Sequence, residues 1–136
     1  DIRVLSATHK NLPELVQEGS FRQDLFYRIN VIELGVPPLR ERTSDIELLA
    51  SHILERIASE YECQPAVLAP EAIDLLQDYD FPGNVRELQN AMERAVTFCH
   101  GRNIELEHLP TRIASYQETA PEADARALLG LMIDGL

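Results

Sequence analysis

A glycine-rich phosphate loop is absent from this sequence of 136 residues, and so is dense positive charge. Lysine occurs once, at Lys10, and no GxxxxGK[ST] pattern is present. That pattern holds nucleotide phosphates through glycine backbone N–H groups and a following lysine, so these residues supply no loop of that kind. The formal net charge is −11, from 23 acidic residues against 12 lysines and arginines. Wrapping of duplex DNA by this chain alone is therefore not expected, because it depends on closely spaced basic residues.

Long apolar runs, metal-ligand spacings and paired cysteines are also missing. No run approaches the roughly 18 to 20 apolar residues that span a bilayer, and the opening DIRVLSATHK lacks the pattern of a signal peptide. We therefore expect a cytoplasmic protein without membrane contact. Cys63 and Cys99 are far apart in the sequence, and we predict that both stay reduced. No metal site is predicted, because no zinc-binding spacing occurs among His9, His52, His100 and His108.

Residues 1–36 have the pattern of the edge of an α/β domain. IRVLSA at 2–7 and VIEL at 31–34 are short, apolar and rich in β-branched residues, which predicts two strands of a parallel sheet. Between them, NLPELVQEG predicts a helix capped by Asn11, and FRQDLFYRI predicts a second helix. One such unit cannot cover both faces of a sheet, so we expect the rest of the sheet to come from preceding residues.

A joint and a linker flank the remaining helical segment. The two prolines of VPPLRER, at residues 36–42, exclude a central strand and indicate a joint between domains. From residue 111 the composition shifts toward alanine, glutamate, serine and threonine, which predicts a linker over 111–136.

Between the joint and the linker, the apolar residues recur at helical spacing in three segments. A capping box is predicted over 44–47, a second helix begins at Pro70, and a similar cap over 84–87 opens the third. Three amphipathic helices with short connections predict a small bundle.

Two ordered motifs resemble one known family. F-R-x-D-L-x-Y-R-[LI], followed by PPLRER and a D-I pair, and PGNVRELQNAMERAV with its GN-x-REL core are similar to sigma-54-dependent transcription activators of the NtrC type, which are AAA+ proteins. The resemblance covers residues 1 to about 110, and regulators of pilus genes look like the nearest members. It implies a mostly α fold with a small α/β edge. Residues 1–36 would end a AAA+ α/β subdomain, 37–110 would form the helical lid, and 111–136 would lead toward a DNA-binding domain.

The resemblance also implies cofactors and partners for a full-length parent. That parent would be a ring of identical subunits that uses ATP and Mg²⁺ to remodel sigma-54 RNA polymerase, and it would bind upstream promoter DNA through a further C-terminal domain. Its phosphate loop and Mg²⁺-binding acids would precede residue 1, so no ATPase activity is expected of this chain alone. A receiver or another sensor domain would precede the ATPase core.

In that family, the arginines that match Arg22 and Arg28 reach across a subunit boundary to the γ-phosphate of the neighbour. A guanidinium group is permanently charged and presents its donors in a plane, which suits the charge that develops on phosphate oxygens. The alternative is that both are solvated helix arginines paired with Glu18 or Asp24.

Four further positions match nucleotide-contacting residues of the family. Thr8 and His9 match the sensor I position, where His9 replaces the more common asparagine. Arg86 matches the sensor II arginine of the lid, and Val85 would line the adenine slot. The alternatives are a turn histidine, a core valine, and an arginine paired with Glu87 or Glu93.

The arginines of the joint have two possible roles, and the chain as a whole has alternatives to the family interpretation. Arg40 and Arg42 would either brace the nucleotide cleft or hold the joint through acids such as Asp45. The whole chain would alternatively be a non-catalytic helical interaction module, or a DNA-binding module that reads bases with NVRELQNAMERA. The acidic balance counts against the DNA-binding alternative.

Overall fold

The computed structural model describes residues 1–100 and 103–116, and the chain divides into two units, residues 1–36 and 37–136. The first unit contains helices α1, Leu12–Gln17, and α2, Gln23–Ile29. The Asn11 side chain accepts a hydrogen bond from the Glu14 backbone N–H at 3.3 Å, so it caps α1. Both helices confirm the prediction from the sequence.

The prediction of strands at residues 2–7 and 31–34 is wrong. Both segments are extended or irregular, and in residues 1–36 no strand forms. A strand needs a neighbouring strand to take its backbone N–H and C=O groups, and the first unit offers none. The apolar side chains that suggested a buried sheet are exposed; they are Ile2, Val4, Leu5, Val31, Ile32 and Leu34.

The second unit is a helical bundle, as predicted. Its helices are α3, Ile46–Glu60, α4, Pro70–Asp78, α5, Asn84–Phe98, and the single turn α6, Thr111–Ala114. Short 3₁₀ turns occupy Leu39–Glu41, Thr43–Asp45 and Leu106–His108. In the described part of the chain, no helix is long and apolar enough to cross a membrane.

A short parallel ladder joins two loops of the second unit. β1, Val67–Leu68, pairs with β2, Asn103–Ile104, so that Val67 lies opposite Asn103 and Leu68 opposite Ile104. The Ala69 N–H donates to the Ile104 carbonyl at 2.9 Å. This pairing brackets α4 and α5 and was not predicted.

The helix starts agree with the sequence at α4 but not at α3. Pro70 opens α4, where its missing N–H leaves no helical bond unmade. α3 begins at Ile46 after the Thr43–Asp45 turn and has no side-chain cap, so the capping box predicted over 44–47 is wrong. The preceding 3₁₀ turn already supplies backbone bonds at this end, because the Asp45 N–H donates to the Arg42 carbonyl at 3.0 Å.

One hydrophobic core lies within the second unit. Its most deeply buried large side chains are Phe81, Leu39, Ile46, Leu75, Leu76, Leu88, Met92, Ile104 and Ile113. Residues 111–116, which the sequence analysis assigns to the linker, include α6 and bury Ile113 in this core, while residues 117–136 lie outside the described residues. Both cysteines are free; Cys63 is exposed and Cys99 is buried.

Candidate functional site

The turn between α4 and α5 has a backbone that few residue types tolerate. Phe81 and Asn84 have φ angles of 45° and 50°, and asparagine is among the side chains that adopt this region most readily. Gly83 has a negative φ, but a Cβ placed on it would lie 2.7 Å from the Glu87 Cβ. Glycine is required there for space rather than for backbone freedom.

Glu87 holds this turn with both carboxylate oxygens. Oε2 accepts from the Gly83 backbone N–H at 2.7 Å, and Oε1 accepts from the Tyr79 hydroxyl at 2.7 Å. Burial and then the Glu87 carboxylate raise the pKa of Tyr79 to about 12, against a smaller opposing effect of Arg112. Glu87 therefore connects the end of α4 to the start of α5.

Asn84 connects the same turn to the joint. Its Oδ1 accepts a hydrogen bond from the Leu39 backbone N–H at 2.8 Å, across 45 residues of sequence. The capping box predicted over 84–87 is thus wrong in part, because Asn84 bonds to Leu39 instead of capping α5, while Glu87 does reach back to Gly83. The family motif GN-x-REL contains Asn84 and Glu87, so the sequence marks this segment as a candidate site. It does not predict the hydrogen bond between Asn84 and Leu39.

Val85 and Arg86 follow in the first turn of α5, and both are exposed. The Val85 side chain is 42% exposed, so it is not a core valine. Among the described residues, Arg86 pairs with neither Glu87 nor Glu93; Glu93 instead accepts from the Gln89 amide at 3.2 Å. A free guanidinium beside the N-terminus of a 15-residue helix is a favourable place for phosphate oxygens.

Arg22 and Arg28 lie at opposite ends of α2 and differ in their surroundings. Arg22 precedes the helix and makes a two-point ion pair with Asp24, with Nη2 to Oδ2 at 2.7 Å and Nε to Oδ1 at 3.1 Å. Arg28 lies in the last turn, exposed, and has no ion pair or hydrogen-bonded side-chain partner in the described residues. The alternative interpretation, in which these arginines pair with acidic neighbours, therefore describes Arg22 but not Arg28.

Thr8 and His9 lie in an exposed turn before α1. The Thr8 Oγ1 accepts from the Lys10 backbone N–H at 3.1 Å, which leaves the hydroxyl proton available as a donor. Thr8, His9, Arg22 and Arg28 belong to the first unit, and Val85 and Arg86 belong to the second.

Of the joint arginines, one has a structural partner. The Arg42 Nε donates to the Asp45 Oδ2 at 3.1 Å, which is the interaction expected if Arg42 holds the joint. Arg40 is exposed and has no ion pair in the described residues.

Metal ligands and surface cavities are two further features of the described residues that bear on ligand binding. No group of three or more histidine, cysteine, aspartate or glutamate side chains is placed there to hold a metal ion. A surface cavity of about 670 Å³ lies between the later turns of α3 and α5, lined by residues that include Ile57, Tyr61, Asn90 and Arg94. None of the six candidate residues lines it, so its size does not bear on nucleotide chemistry.

Two models of known protein families match this chain. Residues 40–126 match the AAA+ ATPase lid domain, and residues 1–35 match the sigma-54 interaction domain. The chain belongs to the sigma-54-dependent AAA+ family. Its resemblance to activators of the NtrC type and its mostly helical fold, with the lid bundle, are thereby confirmed.

Individual relatives are similar over most of this chain. The transcriptional regulatory protein ZraR of Escherichia coli is 50% identical over 115 residues, which are 85% of this chain and 26% of that protein. The response regulator PilR of Pseudomonas aeruginosa is 55% identical over 105 residues, 77% of this chain and 24% of that protein. The structure of NtrX from Brucella abortus in complex with ATP matches 96% of this chain and 31% of that chain, with a TM-score of 0.76 and 33% identity. The chain thus spans about a quarter of the length of the curated relatives it matches.

Proposed function

We propose that the whole protein is an ATPase ring that remodels sigma-54 RNA polymerase, and that this chain supplies its lid and its trans-acting arginines. In this proposal Arg28, assisted by Arg22, contacts the γ-phosphate in the neighbouring subunit. Arg86 contacts phosphate from the lid, Val85 packs against the base, and Thr8 and His9 form hydrogen bonds near the reacting group. The whole protein would act in the cytoplasm. A further domain would bind upstream promoter DNA.

The observation that carries the proposal is the free guanidinium of Arg28 at a position that matches the family motif. An arginine that has no carboxylate partner in the described residues can approach phosphate oxygens without breaking an ion pair. Arg22 has to leave Asp24, but an exposed pair of this kind contributes only about 0–1 kcal/mol, so its release is a small obstacle.

The residues of this chain fit ATP as a ligand in two respects. Arg28 and Arg86 offer planar, charged donors, and Val85 offers an exposed apolar side chain beside Arg86. Bound ATP with Mg²⁺ supplies the phosphoryl group that is transferred to water. The residues of this chain stabilise charge and position the nucleotide, while the phosphate loop and Mg²⁺ ligands would belong to other parts of the whole protein.

The test is the steady-state ATPase rate of the whole protein at concentrations where rings form. Arg28→Ala is expected to lower turnover by about 10³- to 10⁵-fold, the range observed for arginine fingers. Arg56→Ala is the matched control, because Arg56 is also an exposed helix arginine without a side-chain partner in the described residues. It should retain parental turnover. Arg28→Lys should restore little, since an ammonium group does not reproduce the planar fork.

Mixing separates action across subunits from action within one. Arg28→Ala subunits are combined with subunits that lack a working phosphate loop but keep both arginines. Activity should return in the mixture, because an intact finger then faces an intact nucleotide site. If Arg28→Ala alone keeps more than about a tenth of the parental rate, the finger assignment is refuted. Open-complex formation with sigma-54 polymerase tests the proposed partner separately.

A further inference from the structure

We propose that Asn84 is a positioning residue that fixes Arg86 relative to the joint, so that the chain entering the second unit sets the place of the lid arginine. This inference rests on the proposed function, in which Arg86 contacts nucleotide. It assigns to the asparagine of GN-x-REL a role distinct from helix capping.

The first support is the length of chain that the Asn84 contact bridges. Its Oδ1 accepts from the Leu39 N–H at 2.8 Å, and Leu39 itself is only 2% exposed. A buried backbone N–H that lacks a hydrogen-bond acceptor destabilises the folded state, so the fold depends on the contact between Leu39 and Asn84. Leu39 comes three residues after Val36, where the first unit ends. The contact therefore ties Asn84 to the segment of chain that follows Val36.

The second support is that Arg86 lies between two anchors. Asn84 precedes it by two residues, and Glu87, which follows it directly, holds the Gly83 N–H and the Tyr79 hydroxyl. A Cβ added to Gly83 would lie 2.7 Å from the Glu87 Cβ, so the backbone of the turn packs closely against the first turn of α5. The backbone at Arg86 is thus held on both sides, while its side chain is exposed and free to bind.

Two substitutions separate the hydrogen bond from the backbone requirement of Asn84. Asn84→Gly keeps the positive φ of 50° accessible and deletes the acceptor, whereas Asn84→Asp keeps an oxygen acceptor at the same place. Asn90→Gly is the matched control: it makes the same change on an exposed face of α5 and weakens the helix without touching the joint.

The first readout is independent of ATP hydrolysis. Amide hydrogen exchange at Leu39, measured by NMR on this chain, should accelerate by about 2- to 10-fold in Asn84→Gly and stay slow in Asn84→Asp and Asn90→Gly. The second readout is the affinity of the whole protein for a non-hydrolysable ATP analogue. Asn84→Gly should weaken it by about 2- to 10-fold, the range that one net hydrogen bond can account for.

The deciding measurement is a double-mutant cycle with Arg86→Ala. If Asn84 acts through Arg86, Asn84→Gly has no further effect on affinity once Arg86 is removed. The inference would be overturned if the fold-losses of nucleotide affinity in the two single variants multiply in the double variant. It would also be overturned if Asn90→Gly weakens nucleotide binding as much as Asn84→Gly. If Arg86→Ala alone leaves affinity unchanged, the proposed nucleotide role of Arg86 fails first and the inference falls with it. An effect of Arg86→Ala without any effect of Asn84→Gly overturns the inference alone.

Discussion

At the scale of single residues, the Tyr79–Glu87 hydrogen bond makes the second unit sensitive to alkaline pH. The Tyr79 ring is 4% exposed, and its pKa is raised from 10.0 to about 12, chiefly by burial and next by the Glu87 carboxylate. The protonated phenol is therefore favoured in the folded state relative to the unfolded state. Its contribution is fully present below pH 10 and is lost as the pH rises through about 12.

We expect the free energy of unfolding of the chain to fall between about pH 10 and pH 12, by up to roughly 3 kcal/mol from this group. Urea denaturation at pH 8, 10 and 11 measures it. Tyr79→Phe should lower stability at pH 8, because the Glu87 partner is lost, but should flatten the decline at high pH. The Tyr116 pKa is also raised, first by burial, so Tyr116→Phe is needed as the control. An equally steep decline in Tyr79→Phe would contradict the assignment.

Gly83 allows a second prediction at this scale. Gly83→Ala should destabilise the second unit by about 1–3 kcal/mol, because the new Cβ lies 2.7 Å from the Glu87 Cβ and the turn has to open. Gly35→Ala is the matched control, since no atom lies within 4 Å of the Cβ that it would add. Thermal unfolding followed by circular dichroism compares the two. Equal effects of both substitutions would show that the close approach at Gly83 has no energetic weight.

At the scale of elements, α6 is short but belongs to the core. Ile113 is 1% exposed within the core cluster, so Ile113→Ala should lower the unfolding free energy by about 2–5 kcal/mol. Leu48→Ala on α3 removes a side chain that is 73% exposed and should change stability by no more than about 0.5 kcal/mol. Urea denaturation of both variants is the measurement. A mild effect of Ile113→Ala would mean that residues 111–116 behave as a linker.

The helices are predicted correctly because their signals in the sequence are local. Pro70 and the cap at Asn11 act within one turn, and the apolar spacing of α3, α4 and α5 reports the faces that the bundle buries. The motifs that resemble the family mark the two segments that contain Arg28 and Arg86.

Features set by distant residues were missed or wrongly predicted. The Asn84–Leu39 bond spans 45 residues, and no local pattern distinguishes it from a helix cap. β1 and β2 contain two residues each, too few to show alternation. The strands predicted at 2–7 and 31–34 have the right composition, but a strand is defined by a partner, which residues 1–36 do not provide.

At the scale of the whole molecule, burial is confined to the second unit. Every buried hydrophobic residue in the described part of the chain falls between Leu39 and Ile113, and none belongs to residues 1–36. The apolar side chains of the first unit are left largely or partly in contact with solvent. Cooperative folding should therefore be a property of residues 37–136.

A truncated chain of residues 37–136 should have the same free energy of unfolding in urea as the chain of 136 residues, within about 0.5 kcal/mol, because deletion of residues 1–36 removes no core side chain. The slope of the transition should be nearly unchanged, since it follows the surface that unfolding exposes. A truncated chain without a cooperative transition would show that the first unit contributes to the core after all.

The ladder of β1 and β2 has a consequence for the order of folding. A hairpin can close early through a two-residue turn, but this parallel pair encloses α4 and α5 between its strands. Closing a loop of that length costs on the order of 3 kcal/mol in chain entropy before the Ala69–Ile104 bond forms, so both helices must pack first. The Ile104 side chain is fully buried in the core beside this ladder, so its contacts should also form late. Its truncation should therefore speed unfolding and leave the rate of folding nearly unchanged.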